Sequence, residues 1–584
     1  MKKPHTAKLE ALLRKTAKYR AVALDVFGTL LRRDVPQPTA VFDLVGKGFR
    51  IRRIAAEQSA RAAHTGEVTL AQIYAQPQLV GEDPAHELAA ERSVLAADAL
   101  LLEFARQCHA RGQQVYAVSD MYLSAQDLAA LLVENGFDFL DGIFVSSEYG
   151  VQKRSGKLFH VFLQKTGLRA NEVVMVGDDL RADVLGAALA GISAIHWRFS
   201  PSAETNLLPP AWQAFGANHM AALQGEAERL GFAVLGPLLV GFAAWLHTQY
   251  EKAPGGRLYF LARDMYLVQA VYRLLYPEQE GNYLQVSRRS LCPALLAQHA
   301  WQAAVQALPR QTMNGAQIAA YLGTSCPPAL CEKTCDLKSE TGRQQCADLL
   351  AQLVPPDAEP VLGYLQQVGL QQGDWVVDIG SGGTTQQLLQ QLCGVNLQGA
   401  YLACDARLHQ ALPPEHAAVY LFNGQPAPVL YWAAQPMLER LLSQDVGATL
   451  GYASRGERWQ VRHAPCVPDQ TIAAMQRGAL HFAACWQKSW MHETKISADL
   501  AIHPFMQLFS QPTRAQCKLL GTIEIEDGET TALAAPQPLR RYVVHPGQLR
   551  RDFAQSRWKI GFLKGLLRLP LRYDALYQKL KQHP

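Results

Sequence analysis

The stretch Tyr19–Arg33, "YRAVALDVFGTLLRR", decides the reading of the fold. A short apolar run stops on a carboxylate, Asp25, and a Phe-Gly-Thr turn follows at once. An apolar run of this length, closed by a turn, reads as a buried strand. Strands of that kind belong to parallel sheets, whose ligand sites lie at the carboxyl ends of the strands.

Working outward, strand and helix patterns alternate up to about residue 198. "QQVYAVSD" and "GIFVSS" read as strands, separated by the helix "LSAQDLAALLVENG" with Ser124 as N-cap and Gly136 beyond its end. "KLFHVFLQKTG" is a helix, "EVVMVG" a strand, "LRADVLGAALAG" a helix and "SAIHW" a last strand. The alternation predicts a parallel sheet covered by helices. Its strand ends carry Asp25, then Ser119 and Asp120, then Asp178 and Asp179, with Asp183 one helical turn on. Lys153 and Lys157 lie between the last two groups. Any one of these residues could be a helix cap; the whole set, in this order, is a specific constellation.

At 584 residues the chain exceeds what one core organises, so two to four domains are expected. The net charge of +5 is mild and predicts no specific nucleic-acid partner. The N-terminus lacks the apolar core of a signal peptide, which predicts a cytoplasmic protein. "LGFAVLGPLLVGFAAWL", Leu230–Leu246, is shorter than a bilayer span and contains Gly and Pro, so it reads as a buried helix. The eleven cysteines form no obvious disulfide framework, and the cluster at 326, 331, 335 and 346 misses the C-x2-C zinc spacing.

The order "DVFGT", "VSD", Lys153, "GDDLRAD" resembles the haloacid dehalogenase-like (HAD) superfamily. More narrowly it resembles bacterial predicted HAD hydrolases that accompany glycosyltransferases in surface-polysaccharide biosynthesis. The resemblance covers about residues 19–198 and implies a Rossmannoid α/β domain with a helical cap over about 36–92. It implies that Asp25 is a nucleophile that attacks phosphorus. It also implies a Mg2+ ion held by Asp25, Asp178 and the Phe27 carbonyl, with Asp183 and Asp179 orienting the metal or its waters. Ser119 would contact a phosphoryl oxygen, and Lys153 would neutralise nucleophile and phosphate. The substrate implied is a phosphorylated small molecule or glycan precursor.

Phe27 departs from the phosphatase pattern, which places a second aspartate there to protonate the leaving alcohol. Three outcomes are open. The substrate has a good leaving group, another acid (Asp34 or Asp120) serves, or the domain binds its ligand without turnover.

Residues 201–225 turn to Pro, Gln, Asn and Ala and read as a linker. A second α/β domain is expected over 226–450. "GRLYFLARDMYLVQAVYRLL" places Arg263 and Asp264 after a strand, and "YLQVSRRS" ends a strand on Ser287, Arg288 and Arg289. "DWVVDIGSGGTTQQLLQQL" runs from a strand ending at Asp378 through Gly380 and Gly382 into a helix, an arrangement that can cradle phosphate on backbone N–H groups. It half-resembles the S-adenosylmethionine loop of methyltransferases, with Asp405 on a next strand, but Thr384 stands where a third glycine would. Two readings are open, a ligand site built from Arg263, Asp264, Arg288, Asp378, Gly380 and Gly382 or a purely structural turn, and a nucleotide-dependent transferase centred on the site is one alternative function.

Residues 451–584 are expected to be a mostly helical C-terminal region. After Gln548 nine Lys/Arg face two Asp, interleaved with Trp558, Ile560, Phe562, Leu563 and Leu566. A basic amphipathic helix of this kind can dock a glycosyltransferase or lie on the inner membrane, which would make the protein peripheral to it. The opposite expectation is a helix packed on its own core. A scaffold with a weakened HAD site is therefore a further alternative to a phosphohydrolase.

Overall fold

Strand β1 (Ala21–Leu24) is buried throughout and lies at the centre of a five-stranded parallel sheet. Its companions are β2 (Gln114–Ser119), β3 (Gly142–Val145), β4 (Val173–Gly177) and β5 (Ser193–His196). The order is β3-β2-β1-β4-β5, so the direction of winding reverses between β1 and β4. Leu24 stands opposite Ala117 of β2 and Val176 of β4, which brings Asp25 level with the ends of both neighbours. The computed structural model describes residues 4–582 other than 254, 310, 381, 423–425, 528, 568 and 570. It divides into two units, residues 1–229 with 485–494 and residues 230–484 with 495–584.

In the first unit the apolar strands pack between helices on both faces. Ser124 caps the helix Ala125–Glu134, its hydroxyl accepting from the Asp127 N–H at 3.0 Å, and Gly136 sits beyond the end at φ +87°. The cap spans helical segments from Pro38 to Val94, between the short antiparallel strands Leu31–Arg33 and Leu95–Ala97. Its helix Phe49–Ala63 buries Phe49, Arg53, Ala56 and Ala60, an i, i+4, i+7, i+11 stripe. Arg53 sits on that stripe because Glu87 binds it through two hydrogen bonds, at 2.6 and 2.9 Å; a buried guanidinium needs such a partner. The stretch 201–225, expected to be a linker, is folded. Segments from Ala203 to Met220 are helical and bury Trp212, Phe215 and Met220, so three large side chains outweigh the polar composition around them.

The second unit is built on another parallel sheet: β6 (Leu258–Leu261), β7 (Gly281–Leu284), β8 (Trp375–Asp378), β9 (Gln398–Tyr401) and β10 (Ala417–Val419). Its order is β10-β9-β8-β6-β7, and the winding reverses between β6 and β8. Two sequence readings shift here. The strand in "YLQVSRRS" stops at Leu284, and Ser287 instead caps the helix Arg288–Ala297. Asp405 is not on a strand but caps the helix Ala406–Ala411 and pairs with Arg407.

The helical run Glu226–Lys252 is long and apolar enough, by length and composition, to cross a membrane; in this structure most of that surface is buried. Residues beyond 450 are mostly helical, with the hairpins Thr449–Arg455/Arg458–His463 and Glu524–Asp527/Glu529–Ala532, and apart from 485–494 they belong to the second unit rather than to a separate region. The basic tail is three helices, Pro546–Gln555, Lys559–Leu566 and Tyr573–Gln582, instead of one amphipathic rod. Trp558, Ile560 and Phe562 are buried, and the Trp558 indole N–H donates to the Phe509 carbonyl at 2.9 Å. Arg568 of that tail lies outside the described residues.

Candidate active site

Asp25 follows β1 directly and is buried, 5% exposed. Its backbone N–H donates to the Val176 carbonyl of β4 at 3.0 Å, so the main chain fixes it between two strand ends. The Lys153 ammonium donates to Asp25 Oδ1 at 2.5 Å and to Asp183 Oδ1 at 2.6 Å. Both partners and the lysine are almost fully buried. Asp25 and Asp183 hold the Lys153 proton against the burial that would release it, so its pKa is raised. Burial pushes the pKa of both carboxylates up in spite of Lys153. Two carboxylates thus share one cation, and the cluster is short of positive charge.

Asp178 supplies a third carboxylate. Oxygens of Asp25, Asp178 and Asp183 lie within 4.8 Å of one another. Thr29 donates to Asp178 Oδ1 at 3.1 Å and so steadies it. Gly28 explains the turn after Asp25: its φ is +89°, and a Cβ there would stand 2.5 Å from Asp178 Oδ2. Asp25 Oδ2 is buried and has no hydrogen-bond partner among the described residues. A charge deficit and a cradle kept free of side-chain atoms together fit a hard divalent cation with oxygen ligands.

The other expected residues divide. Ser119 ends β2 and is buried beside the site. Asp179 is turned away: its carboxylate caps the following helix by accepting from the Arg181 and Ala182 N–H groups at 2.7 and 3.0 Å. Lys157 is exposed at the start of its helix, whereas Lys153 is inside. The Phe27 ring is half-buried, with the Arg33 guanidinium 4.4 Å from its centroid. Of the two alternative acids, Asp34 is committed elsewhere, to Asn218 at 2.7 Å and His219 at 2.8 Å. Asp120 instead accepts the Lys153 backbone N–H at 2.8 Å, and burial pushes its pKa up to about 6.

In the second unit Arg263, Asp264, Arg288, Asp378, Gly380 and Gly382 all line one cavity of about 400 Å³, at the ends of β6 and β8. Ser443 donates to Asp264 Oδ1 at 2.6 Å. Sequence reasoning missed Glu439, which lines the same cavity from the helix Val429–Leu442; burial raises its pKa to about 8. Arg407 and His463 were missed too. Nothing in "LERLL" or "VRHAP" sets these residues apart from ordinary surface charge.

The strand order, the carboxylate cluster and the buried lysine define residues 19–191 as a HAD-like hydrolase superfamily domain; the haloacid dehalogenase-like hydrolase family matches this span. The chain is 38% identical over 96 residues to the ribulose-1,5-bisphosphate 5-phosphatase of Halopiger xanaduensis, covering 16% of this chain and 39% of that protein. It is 31% identical over 70 residues to the glyceraldehyde 3-phosphate phosphatase of Pyrococcus furiosus, covering 12% of this chain and 29% of that one. The chain therefore spans well under half the length of these curated relatives. Among solved structures, a HAD phosphatase from Thermococcus onnurineus aligns at 19% identity with a TM-score of 0.25, covering 31% of this chain and 88% of that one.

Proposed function

We propose that the first unit is a Mg2+-dependent phosphohydrolase acting on a phosphorylated sugar or glycan precursor. The observation that carries this reading is the Asp25 carboxylate, with one oxygen held by Lys153 and the other bare. The bare oxygen is free to bond to phosphorus as the bond to the leaving oxygen breaks, and water then cleaves the resulting aspartyl-phosphate. Lys153 opposes the burial that favours the protonated form of Asp25 and would offset charge on the incoming phosphoryl group. Ser119, at the end of β2, would donate to a phosphoryl oxygen.

Asp25, Asp178, Asp183 and the Phe27 carbonyl would hold Mg2+. When bound, that ion supplies the positive charge that offsets repulsion between carboxylates and phosphate. Phe27 itself moves no proton, so turnover favours leaving groups that need little help unless Asp120 supplies the proton. The substrate class draws on the relatives, named for phosphatases of ribulose 1,5-bisphosphate and glyceraldehyde 3-phosphate. The role in polysaccharide biosynthesis draws on the motif resemblance alone.

The test is phosphate release by the full chain from a panel of acyl, aryl and sugar phosphates, with and without Mg2+. Activity that depends on Mg2+ and disappears in Asp25→Asn is expected. Activity retained by Asp25→Asn would remove the nucleophile as assigned.

A further inference from the structure

The second sheet reverses its winding between β6 and β8, and open α/β sheets bind ligands at such a point. The cavity described above opens there, and its volume falls in the range of small-molecule sites. The loops after β6, β7 and β8 all contribute to it. We propose that this cavity binds a small sugar phosphate, with its phosphate against Gly382, Thr384 and Arg288 and its hydroxyls against Asp264, Asp378 and Glu439.

Three observations carry the assignment. The first is the cationic end. The helix Thr384–Cys393 begins at the cavity wall, after Gly383 at φ +67°, and its first N–H groups have no partner within the helix. Arg288, also on the wall, makes no guanidinium hydrogen bond or ion pair among the described residues. An anion of phosphate size satisfies both.

The second observation is the carboxylate end. Asp264, Asp378 and Glu439 all face the cavity, and burial raises the pKa of each: Asp378 to about 6 and Glu439 to about 8. Such groups exchange hydrogen bonds readily with hydroxyls. A ligand that carries both a phosphate and hydroxyls matches this mixed lining, in which Arg288 acts on all three carboxylates.

The third observation separates a sugar phosphate from a nucleotide. None of the described lining residues is Phe, Tyr or Trp, so the cavity offers a base no aromatic platform for stacking.

The experiment is calorimetric titration of the full chain carrying Asp25→Asn, so that the first site turns nothing over. The probes are ribose 5-phosphate, glucose 1-phosphate, glucose 6-phosphate, UMP and inorganic phosphate. At least one sugar phosphate should bind tenfold or more tightly than UMP and inorganic phosphate. Arg288→Ala, an exposed position that should fold normally, should weaken this binding at least tenfold, and Asp378→Asn should weaken it as well. Asp178→Ala should leave it unchanged, which separates this site from the first. The assignment is overturned if UMP binds best, if no sugar phosphate exceeds inorganic phosphate, or if binding persists in Arg288→Ala and Asp378→Asn. None of these outcomes bears on the phosphohydrolase reading, because Asp25 lies outside this cavity.

Discussion

Phe27→Asp tests the chemistry of the first site most directly. The wild type has an apolar ring where a proton donor would help an alkoxide leave. General acid catalysis supplies roughly 10²–10⁴-fold, which is about 2.7–5.5 kcal/mol of barrier at 1.36 kcal/mol per decade. The wild type should therefore hydrolyse acyl or aryl phosphates measurably and a primary-alcohol phosphate such as glucose 6-phosphate very slowly. The variant should raise the alkyl rate by up to about 10²–10⁴-fold and leave the aryl rate nearly unchanged. The structural cost is moderate. A half-buried ring forfeits about half of the ~1.5–3 kcal/mol that full burial contributes, and the Arg33 stacking over it adds about 0.5–1 kcal/mol. Arg33 stays paired with Glu91 at 2.6 Å, so the variant should fold with a lowered melting temperature. The assay is phosphate release across a series of leaving groups of graded pKa, at saturating Mg2+. A wild-type rate that does not depend on the leaving group would refute the reasoning. Asp120→Asn would then show whether Asp120 gives the proton, by slowing only the alkyl substrates.

Asp178→Ala should abolish Mg2+ binding in calorimetric titration; unchanged binding would remove the metal site. Lys153→Met leaves Asp25 and Asp183 buried without a counter-charge and should cost about 3–5 kcal/mol at pH 8. Burial raises both carboxylates above their unfolded values, so the folded variant binds more protons than the unfolded chain. Its stability is fullest below the unfolded pKa of about 4 and is lost as pH rises through the folded values. The deficit against wild type in urea denaturation should therefore shrink from pH 8 to pH 5; an equal deficit at both would contradict the account. Trp558→Ala should destabilise the second unit by about 3–5 kcal/mol, read from its unfolding transition, and a loss near zero would mean that the indole is not packed as described.

The first sheet was legible because its strands are short apolar runs, three of which stop at or next to Asp25, Ser119 or Asp178, and because the helix Ala125–Glu134 carries its own cap, Ser124. Asp25, Ser119, Lys153, Asp178 and Asp183 follow from that pattern together with the family resemblance. The family resemblance implied that Asp179 helps to orient the metal or its waters; which of the adjacent aspartates caps the helix depends on the turn geometry. The stretch 201–225 looked like a linker because composition averages over Trp212 and Phe215, and two buried aromatic side chains are enough to order a short segment. Glu439 was invisible for another reason: its like-charged neighbours Asp264 and Asp378 are distant in the chain, and only the tertiary fold gathers them. The tail illustrates a limit of amphipathicity. A basic stripe beside an apolar one is the same pattern whether the apolar side meets lipid or the protein's own interior, and here Trp558 and Phe562 face the interior.

Both units put their chemistry where the strand order reverses, yet the charges there differ in kind. In the first, the buried ammonium of Lys153 bonds two buried carboxylates while Asp178 stands beside them, so the proposed phosphate would need a cation to offset their charge. In the second, Arg288 and the start of a helix line the same cavity as Asp264, Asp378 and Glu439, so the proposed phosphate would meet positive charge without a metal. The sheet decides the place in each case, because the ends of its central strands leave a crevice that neither flanking helix fills. The side chains at those ends decide the chemistry. A metal chelator should therefore silence phosphate release at the first site and leave sugar-phosphate binding at the second intact, since no group of three or more metal-ligating side chains lies close enough there to hold an ion among the described residues.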